Sequence, residues 1–540
     1  MDFPLTLPEI LAQRTRRNAD KVFLRFADET LTYEGFDRKT NQAANALVNM
    51  GVKKGDRVCL MLGNRPEFLY LWFGLAKIGG VLVPVNTAFK GREAAYVINH
   101  SEAAAVFTES SFAEVLADIR SDCPSVRQWL GLDTAADGRF HAYPDLLAEA
   151  GEDAPGVKIS ETDLLSIIYT SGTTGRPKGA THSHRTYVLA GWAFTRRMDL
   201  NSTDTVLAFM PLFHINAQIY SAMGTLLAEA TLALLPRFSL SRFWDDARRH
   251  KATKFNCPVA AGYLLAKRPP SDRDRDHSLK MVFIGPLRED LAEAFEERFG
   301  ILPIDGYGMT ECPNICQNPH DGVRKIGSMG TPAVFPDPSI PLTEMKLVDD
   351  DDREVPVGTV PVGTVGEVAV RSPLLTSGSS KDPDRTAEAM KGGWFHTGDN
   401  AYRDEEGYYY FVDRKKDVIR RRGENISSAE VELVLFSHPD VTEAAVIPVP
   451  SELGEDEVKA CIVPAEGADL KPASIVEWCE ARLAKFKVPR YIEFRESLPK
   501  TPTQKVEKYV LRREKTDLTE GCWDREREQG QDALNRGDRP

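Results

Sequence analysis

Tyr169-Thr170-Ser171-Gly172-Thr173-Thr174-Gly175-Arg176-Pro177-Lys178-Gly179-Ala180 decides how this chain is read. The apolar run Leu164 to Tyr169 that leads into it has the length and composition of a buried strand. The segment is therefore expected to be a strand running into a loop. Within ten positions the loop gathers three glycines, four hydroxyl side chains, an arginine and a lysine. Glycines let backbone N–H groups turn inward together, and a concave set of donors binds anions. The hydroxyls add donors and Lys178 adds a mobile positive charge. This is chemistry for holding a polyphosphate. It is not the Walker-type loop: in G-x-x-x-x-G-K-[ST] the second glycine, counted from Gly172, falls on Pro177. Pro177 and Gly179 also argue against a helix opening beneath the phosphates.

At 540 residues the chain exceeds one ordinary domain. Its net charge of −12 argues against nucleic acid or an anionic membrane as main partner. The start, MDFPLTLPEI, is acidic and broken by prolines, unlike a signal peptide. The most apolar region, Phe68 to Val85, is interrupted by Lys77 and a glycine pair, so it reads as core rather than membrane span. Scattered cysteines fit neither a zinc site nor a disulfide framework. A cytoplasmic enzyme is expected.

Strand-like runs alternate with helical patterns through residues 1–412, as in Arg57 to Leu62, Pro66 to Ile78 and Val81 to Val85. This predicts an α/β fold: a large N-terminal domain of mixed sheets covered by helices. The charge run Asp413-Arg414-Lys415-Lys416-Asp417 reads as a solvated connection, a hinge over 413–417. Residues 418–514 form a small α+β unit, with a capping box at Ser427 to Glu430 and helices from there and from Pro472. Its strands are expected at Ala444 to Val449, Lys459 to Val463 and, closing the sheet, Tyr491 to Phe494. Residues 515–540 are too polar to build a core and are expected to be disordered. A tandem repeat, Val355 to Thr359 and Val360 to Thr364, reads as a loop duplication.

Further segments carry candidate chemistry. His214 closes Met210-Pro211-Leu212-Phe213-His214 after a strand, a place where many histidines are merely structural. In Asp305-Gly306-Tyr307-Gly308-Met309-Thr310-Glu311 the glycines permit close backbone approach, and Thr310 with Glu311 suits Mg²⁺. Asp399 follows a glycine turn, where it could bind ribose hydroxyls. Lys505 ends Pro499-Lys500-Thr501-Pro502-Thr503-Gln504-Lys505, a proline-rich loop.

Taken in order, these segments resemble the acyl-adenylate-forming superfamily of acyl-CoA synthetases, peptide-synthetase adenylation domains and firefly luciferase, over roughly residues 8 to 512. The resemblance implies a large N-terminal domain, a small mobile C-terminal domain and a site between them that uses ATP, Mg²⁺, CoA and a small carboxylic acid. It implies that Thr170, Ser171, Gly172, Thr173, Thr174, Gly175 and Lys178 wrap the ATP phosphates. Asp305 and Tyr307 would lie at the nucleotide, with Tyr307 near adenine. Thr310 would touch the α-phosphate, Glu311 would hold the metal, and Asp399 and Arg414 would grip ribose. His214 would sit by the acyl pocket and Lys416 at the hinge. Lys505 would bridge carboxylate and α-phosphate oxygens during adenylation. A swing of the small domain would then bring Arg420, Gly423, Glu424 and Asn425 to the CoA side.

The expected reaction is ATP-dependent acid–CoA ligation through an acyl-AMP. The family's glycine-rich adenine loop is replaced here by Phe283-Ile284-Gly285-Pro286-Leu287. Gln504 stands where a glycine usually precedes the lysine, and Gly378-Ser379-Ser380 lacks the usual aromatic. Gly423 to Ser427 and Ala484 to Pro489 look most like the crotonobetaine/carnitine-CoA ligase branch. His214, Asn216, Asn256, Gly308, Pro313 and Asn314 are candidate acyl-pocket positions. Loading of a separate carrier protein, and non-catalytic nucleotide binding, are the competing readings.

Overall fold

The computed structural model describes residues 4–133, 138–170, 177–335, 337–356, 365–415, 417–421, 424–451, 456–500 and 506–528. The decisive strand runs Leu164–Thr170 (β1) and the chain returns as Lys178–Ser183 (β2), antiparallel to it. No helix opens after the loop, as Pro177 and Gly179 required. β1 and β2 form one edge of a seven-stranded sheet whose other strands, including Arg57–Met61, Val81–Pro84 and Ala105–Thr108, run parallel. A second seven-stranded sheet is parallel except for the Val22–Phe26/Glu29–Thr32 hairpin. In the helix Pro66–Ile78 every residue but Glu67 is buried, so the most apolar stretch is core packing inside the large domain. The mixed α/β architecture is as the alternating pattern predicted.

One strand of the second sheet, Lys254–Asn256, leads into the helix Val259–Ala266 (α1). Beyond the two large sheets, Gly306–Met309 (β3) and Cys312–Gln317 (β4) pair antiparallel, as do Trp394–Arg403 (β5) and Tyr409–Arg414 (β6). The segment Gly378 to Ser380 packs on β2, with Ser380 N–H donating to the Gly179 carbonyl and Thr181 N–H to that of Gly378. Gly378 holds a φ of +130°, a backbone conformation that L side chains rarely adopt.

The small domain has its own apolar core, from Ile419 to Ile492, apart from the large cluster that ends at Tyr409. Its helix Ser428–Phe436 (α2) opens on the Ser427 cap, whose side chain accepts Glu430 N–H. Its sheet runs Val441–Pro450 (β7), Asp456–Pro464 (β8), Tyr491–Phe494 (β9) and Trp523–Asp524 (β10).

Two expectations are corrected. The 413–417 run is solvated only in its middle, where Lys415 is exposed: Asp413 is only 2% exposed, and its Oδ2 accepts Ser428 N–H at 2.6 Å and Ser428 O–H at 2.8 Å. Asp417 is buried and pairs with Arg512. Lys416 lies outside the described residues. Nor is the polar stretch from Lys515 disordered throughout. β10 pairs antiparallel with β9, and Arg490 binds Asp524 through Nε at 3.1 Å and Nη2 at 3.2 Å. Arg525 is buried as well. Backbone pairing and ion pairs anchor a segment that has little apolar surface to bury. Residues 529–540 and most of the tandem repeat, 357–364, lie outside the described residues.

Candidate active site

The sheets and the small domain enclose a cleft of about 2080 Å³. Thr170 and Lys178 line it and face each other in the β1–β2 register, so the hairpin holds both ends of the glycine-rich loop at the cleft. Ser171, Gly172, Thr173, Thr174 and Gly175 lie outside the described residues. Burial pulls the Lys178 ammonium below its ordinary pKa, the like charge of Arg385 adds to this, and Glu311 opposes it. Lys178 and Glu311 thus share one electrostatic neighbourhood.

Thr310 and Glu311 line the cleft between β3 and β4. The Glu311 carbonyl accepts Thr376 N–H at 2.7 Å, which fixes its backbone against the 376–380 segment. Burial raises the Glu311 pKa, so its carboxylate would gain from a neighbouring cation. A carboxylate beside a hydroxyl, open to a phosphate-sized space, fits Mg²⁺, which takes one or two carboxylates and completes its shell with phosphate and water oxygens.

Asp399 and Arg414 face each other in the β5–β6 register, with Arg414 Nε 3.7 Å from Asp399 Oδ1. Tyr307 O–H donates to Asp399 Oδ2 at 2.5 Å. All three line the cleft. Asp305 also lines it but is tied to backbone: Oδ2 accepts Leu287 N–H at 2.8 Å and Oδ1 accepts Gly306 N–H at 2.7 Å. Burial pushes its pKa up to about 7. Asp305 therefore braces the Gly285 to Leu287 turn that stands in for the adenine loop. Any side chain at Gly285 would begin 2.0 Å from Asp305 Oδ1, so the one glycine kept in that loop is the one the brace requires.

At the other end His214, Asn216, Gly308 and Pro313 line the cleft together with Phe213, Tyr220, Cys257 and Phe283. The Asn216 amide oxygen accepts from Asn256 Nδ2, and Asn256 in turn accepts Ser221 O–H at 2.9 Å. Asn256 and Asn314 stand behind the cleft wall rather than in it. Tyr220 escaped sequence reading because it lies in the π-helix Ala217–Met223, whose offset from the α-helical period no apolar pattern signals.

From the small domain, Lys500 and Val506 line the cleft and face each other in an antiparallel bridge, closed by Glu507 N–H on the Pro499 carbonyl. Lys505 itself lies outside the described residues, but both ends of its loop are at the cleft. Lys508 Nζ reaches Ser428 Oγ and a Glu432 carboxylate oxygen, each at 2.7 Å. Arg420 sits on the ribbon Ile419–Arg421/Glu424–Ile426, paired with Asn425, and is not among the cleft residues. Gly423 lies outside the described residues, as do the side chains of Glu424 and Asn425. Among the described residues no helix is long and apolar enough to cross a membrane.

Residues 11–379 match the family described as AMP-binding enzyme, and residues 430–505 match the AMP-binding enzyme C-terminal domain. The chain is 34% identical over 494 residues to the crotonobetaine/carnitine–CoA ligase of Salmonella heidelberg (strain SL476), covering 89% of this chain and 93% of that protein. Among solved structures it resembles the anthranilate CoA ligase AuaEII in complex with anthranoyl-AMP, with a TM-score of 0.86 at 28% identity over 95% of this chain and 98% of that one. It also resembles ATP-bound MatB from Rhodopseudomonas palustris, with a TM-score of 0.82 at 27% identity over 95% and 100% of the two chains. The length of these matches leaves one conclusion: the chain belongs to the AMP-binding enzyme family.

Proposed function

We propose that the chain is an ATP-dependent acid–CoA ligase that joins a small carboxylic acid to coenzyme A through an acyl-AMP. The observation that carries this reading is one cleft on which Lys178, Glu311, the Asp399–Arg414 pair and both ends of the Lys505 loop converge. The name of its curated relative fits the same reaction.

In the first step a carboxylate oxygen of the acid attacks the α-phosphorus of ATP, and the bond to the β-phosphate's bridging oxygen breaks to release pyrophosphate. The obstacle is bringing one anion against another, so positioned positive charge does most of the work. The hairpin loop and Lys178 hold the phosphates, Asp399 and Arg414 hold ribose, and Tyr307 lies against adenine. Thr310 and Glu311 would hold a magnesium ion, whose charge offsets that on the phosphate oxygens. Lys505 neutralises the oxygens shared by the carboxylate and the α-phosphate. In the second step the CoA sulfur attacks the acyl carbon, AMP leaves and the thiol proton passes to solvent. A thiol is already a few per cent thiolate at neutral pH, so no strong protein base is needed.

The test is pyrophosphate release and thioester formation from ATP, CoA and a panel of acids that includes crotonobetaine, aryl acids and short fatty acids. Absence of acid-dependent pyrophosphate release with every acid would sink the reading. Acyl transfer to a holo-carrier protein but never to CoA would favour carrier loading instead. Lys505→Ala should abolish acyl-AMP formation yet spare thioester formation from preformed acyl-AMP.

A further inference from the structure

Lys267 follows the last turn of α1 in the large domain, but its ammonium is committed to the small one. Nζ donates to the His438 carbonyl at 2.9 Å and to the Val441 carbonyl at 2.6 Å, the two ends of the turn that leads from α2 into β7. The His438 carbonyl also accepts Val441 N–H, so the ammonium clamps from the large domain the turn that follows α2, and its charge complements the negative end of that helix. One turn earlier on α1, the Tyr263 ring lies parallel to that of Phe436, the last residue of α2, with centroids 6.3 Å apart. Phe436, although it belongs to the small domain, packs against the large domain's core. Tyr263 O–H donates to Asp290 at 3.1 Å, fixing the ring, and Asp290 and Asp440 set negative charge near the Lys267 ammonium.

These contacts join residues on opposite sides of the chain's crossing between domains at 413–417. A rotation that carries α2 away from α1 breaks them. In the orientation they hold, Lys500 and Val506, the two ends of the Lys505 loop, line the cleft.

We propose that Lys267, with Tyr263 and Phe436, is a positioning device for the first half-reaction: it holds the small domain where the Lys505 loop reaches the nucleotide. Lys267 touches no substrate and acts through the orientation of α2. The inference rests on the ligase reading above for its kinetic arm, and on geometry alone for a second arm.

The experiment compares the full-length wild type with Lys267→Ala, Lys267→Arg and Tyr263→Leu. Acyl-AMP formation and thioester formation from preformed acyl-AMP are measured separately, using an acid that the wild type turns over. Lys267→Ala should slow the first by about tenfold and change the second by less than twofold. Lys267→Arg, which can donate to both carbonyls, should recover most of the loss, and Tyr263→Leu should repeat the Lys267→Ala pattern more weakly. Small-angle scattering is the arm that needs no turnover: Lys267→Ala should broaden the distribution of interdomain distances, while Lys267→Arg should not. Equal slowing of both half-reactions, or an unchanged scattering profile, overturns the proposal. A wild type inactive on every acid would count against the ligase reading and leave the scattering arm to decide this one.

Discussion

The phenol of Tyr307 donates a 2.5 Å hydrogen bond to Oδ2 of Asp399 and so ties β3 to β5 inside the cleft. Asp399 is 8% exposed, and a buried carboxylate that loses a donor is destabilised by about 1–3 kcal/mol. Tyr307→Phe keeps the ring and removes only the donor. ATP affinity measured by calorimetry should fall by roughly tenfold, in line with about 1.4 kcal/mol. Unchanged affinity would mean that the hydroxyl does not hold Asp399 for the nucleotide.

Glu311 bears on metal dependence. Glu311→Gln keeps the shape of the side chain and removes its charge. Pyrophosphate release should drop by about 10²–10³-fold, the usual loss when one electrostatic stabiliser goes. The Mg²⁺ concentration giving half-maximal rate should rise with it. A variant that is slow but has an unaltered magnesium requirement would place the metal elsewhere.

Asp413 makes a prediction about stability. It accepts two hydrogen bonds from Ser428 at the first turn of α2, and lost caps cost about 0.5–2 kcal/mol. Asp413→Ala should therefore lower the thermal midpoint by a few degrees, and Ser428→Ala, which keeps the backbone donor, by less. Equal midpoints for Asp413→Ala and the wild type would contradict the cap.

Asp305 sets a pH dependence. Burial raises its pKa to about 7, so the folded protein binds a proton that the unfolded chain releases near pH 4. Its contribution to stability is full below pH 4 and is lost as pH rises through 7. Asp305→Asn abolishes this titration, so its midpoint relative to wild type should rise between pH 4 and pH 8. The change corresponds to a few kcal/mol on the order of 1.4 kcal/mol per pKa unit. A constant difference across that range would refute the assignment.

Much of the site was legible because its parts sit in short runs whose chemistry is local. Thr170 and Lys178 follow from the loop's glycines and hydroxyls, and the β1–β2 register puts them opposite each other. Residues whose roles depend on distant partners were not legible. Asp413 and Asp417 look solvated inside a charge run because Ser428 and Arg512, which bury them, lie 15 and 95 positions away. Lys267, before Arg268 and two prolines, looks like any surface lysine until α2 is placed beside it. Asp305 lines the cleft, where the resemblance puts it, but its two backbone donors, which brace the turn at Gly285 to Leu287, have no local sequence signal. Composition counts charges but does not pair them.

The strand Trp523–Asp524 has a practical consequence for anyone who shortens this chain. It lies along the outer side of β9, where Tyr491 and Ile492 would otherwise present unsatisfied N–H and C=O groups to solvent. An open strand edge is a template on which a second molecule can pair and aggregation can begin. A version trimmed to the matched family boundary at residue 505 would keep most of the small domain's core yet lose that guard. Such a version should clump on concentration, and expression vectors are better built with the Trp523–Asp524 segment retained than with a purification tag in its place.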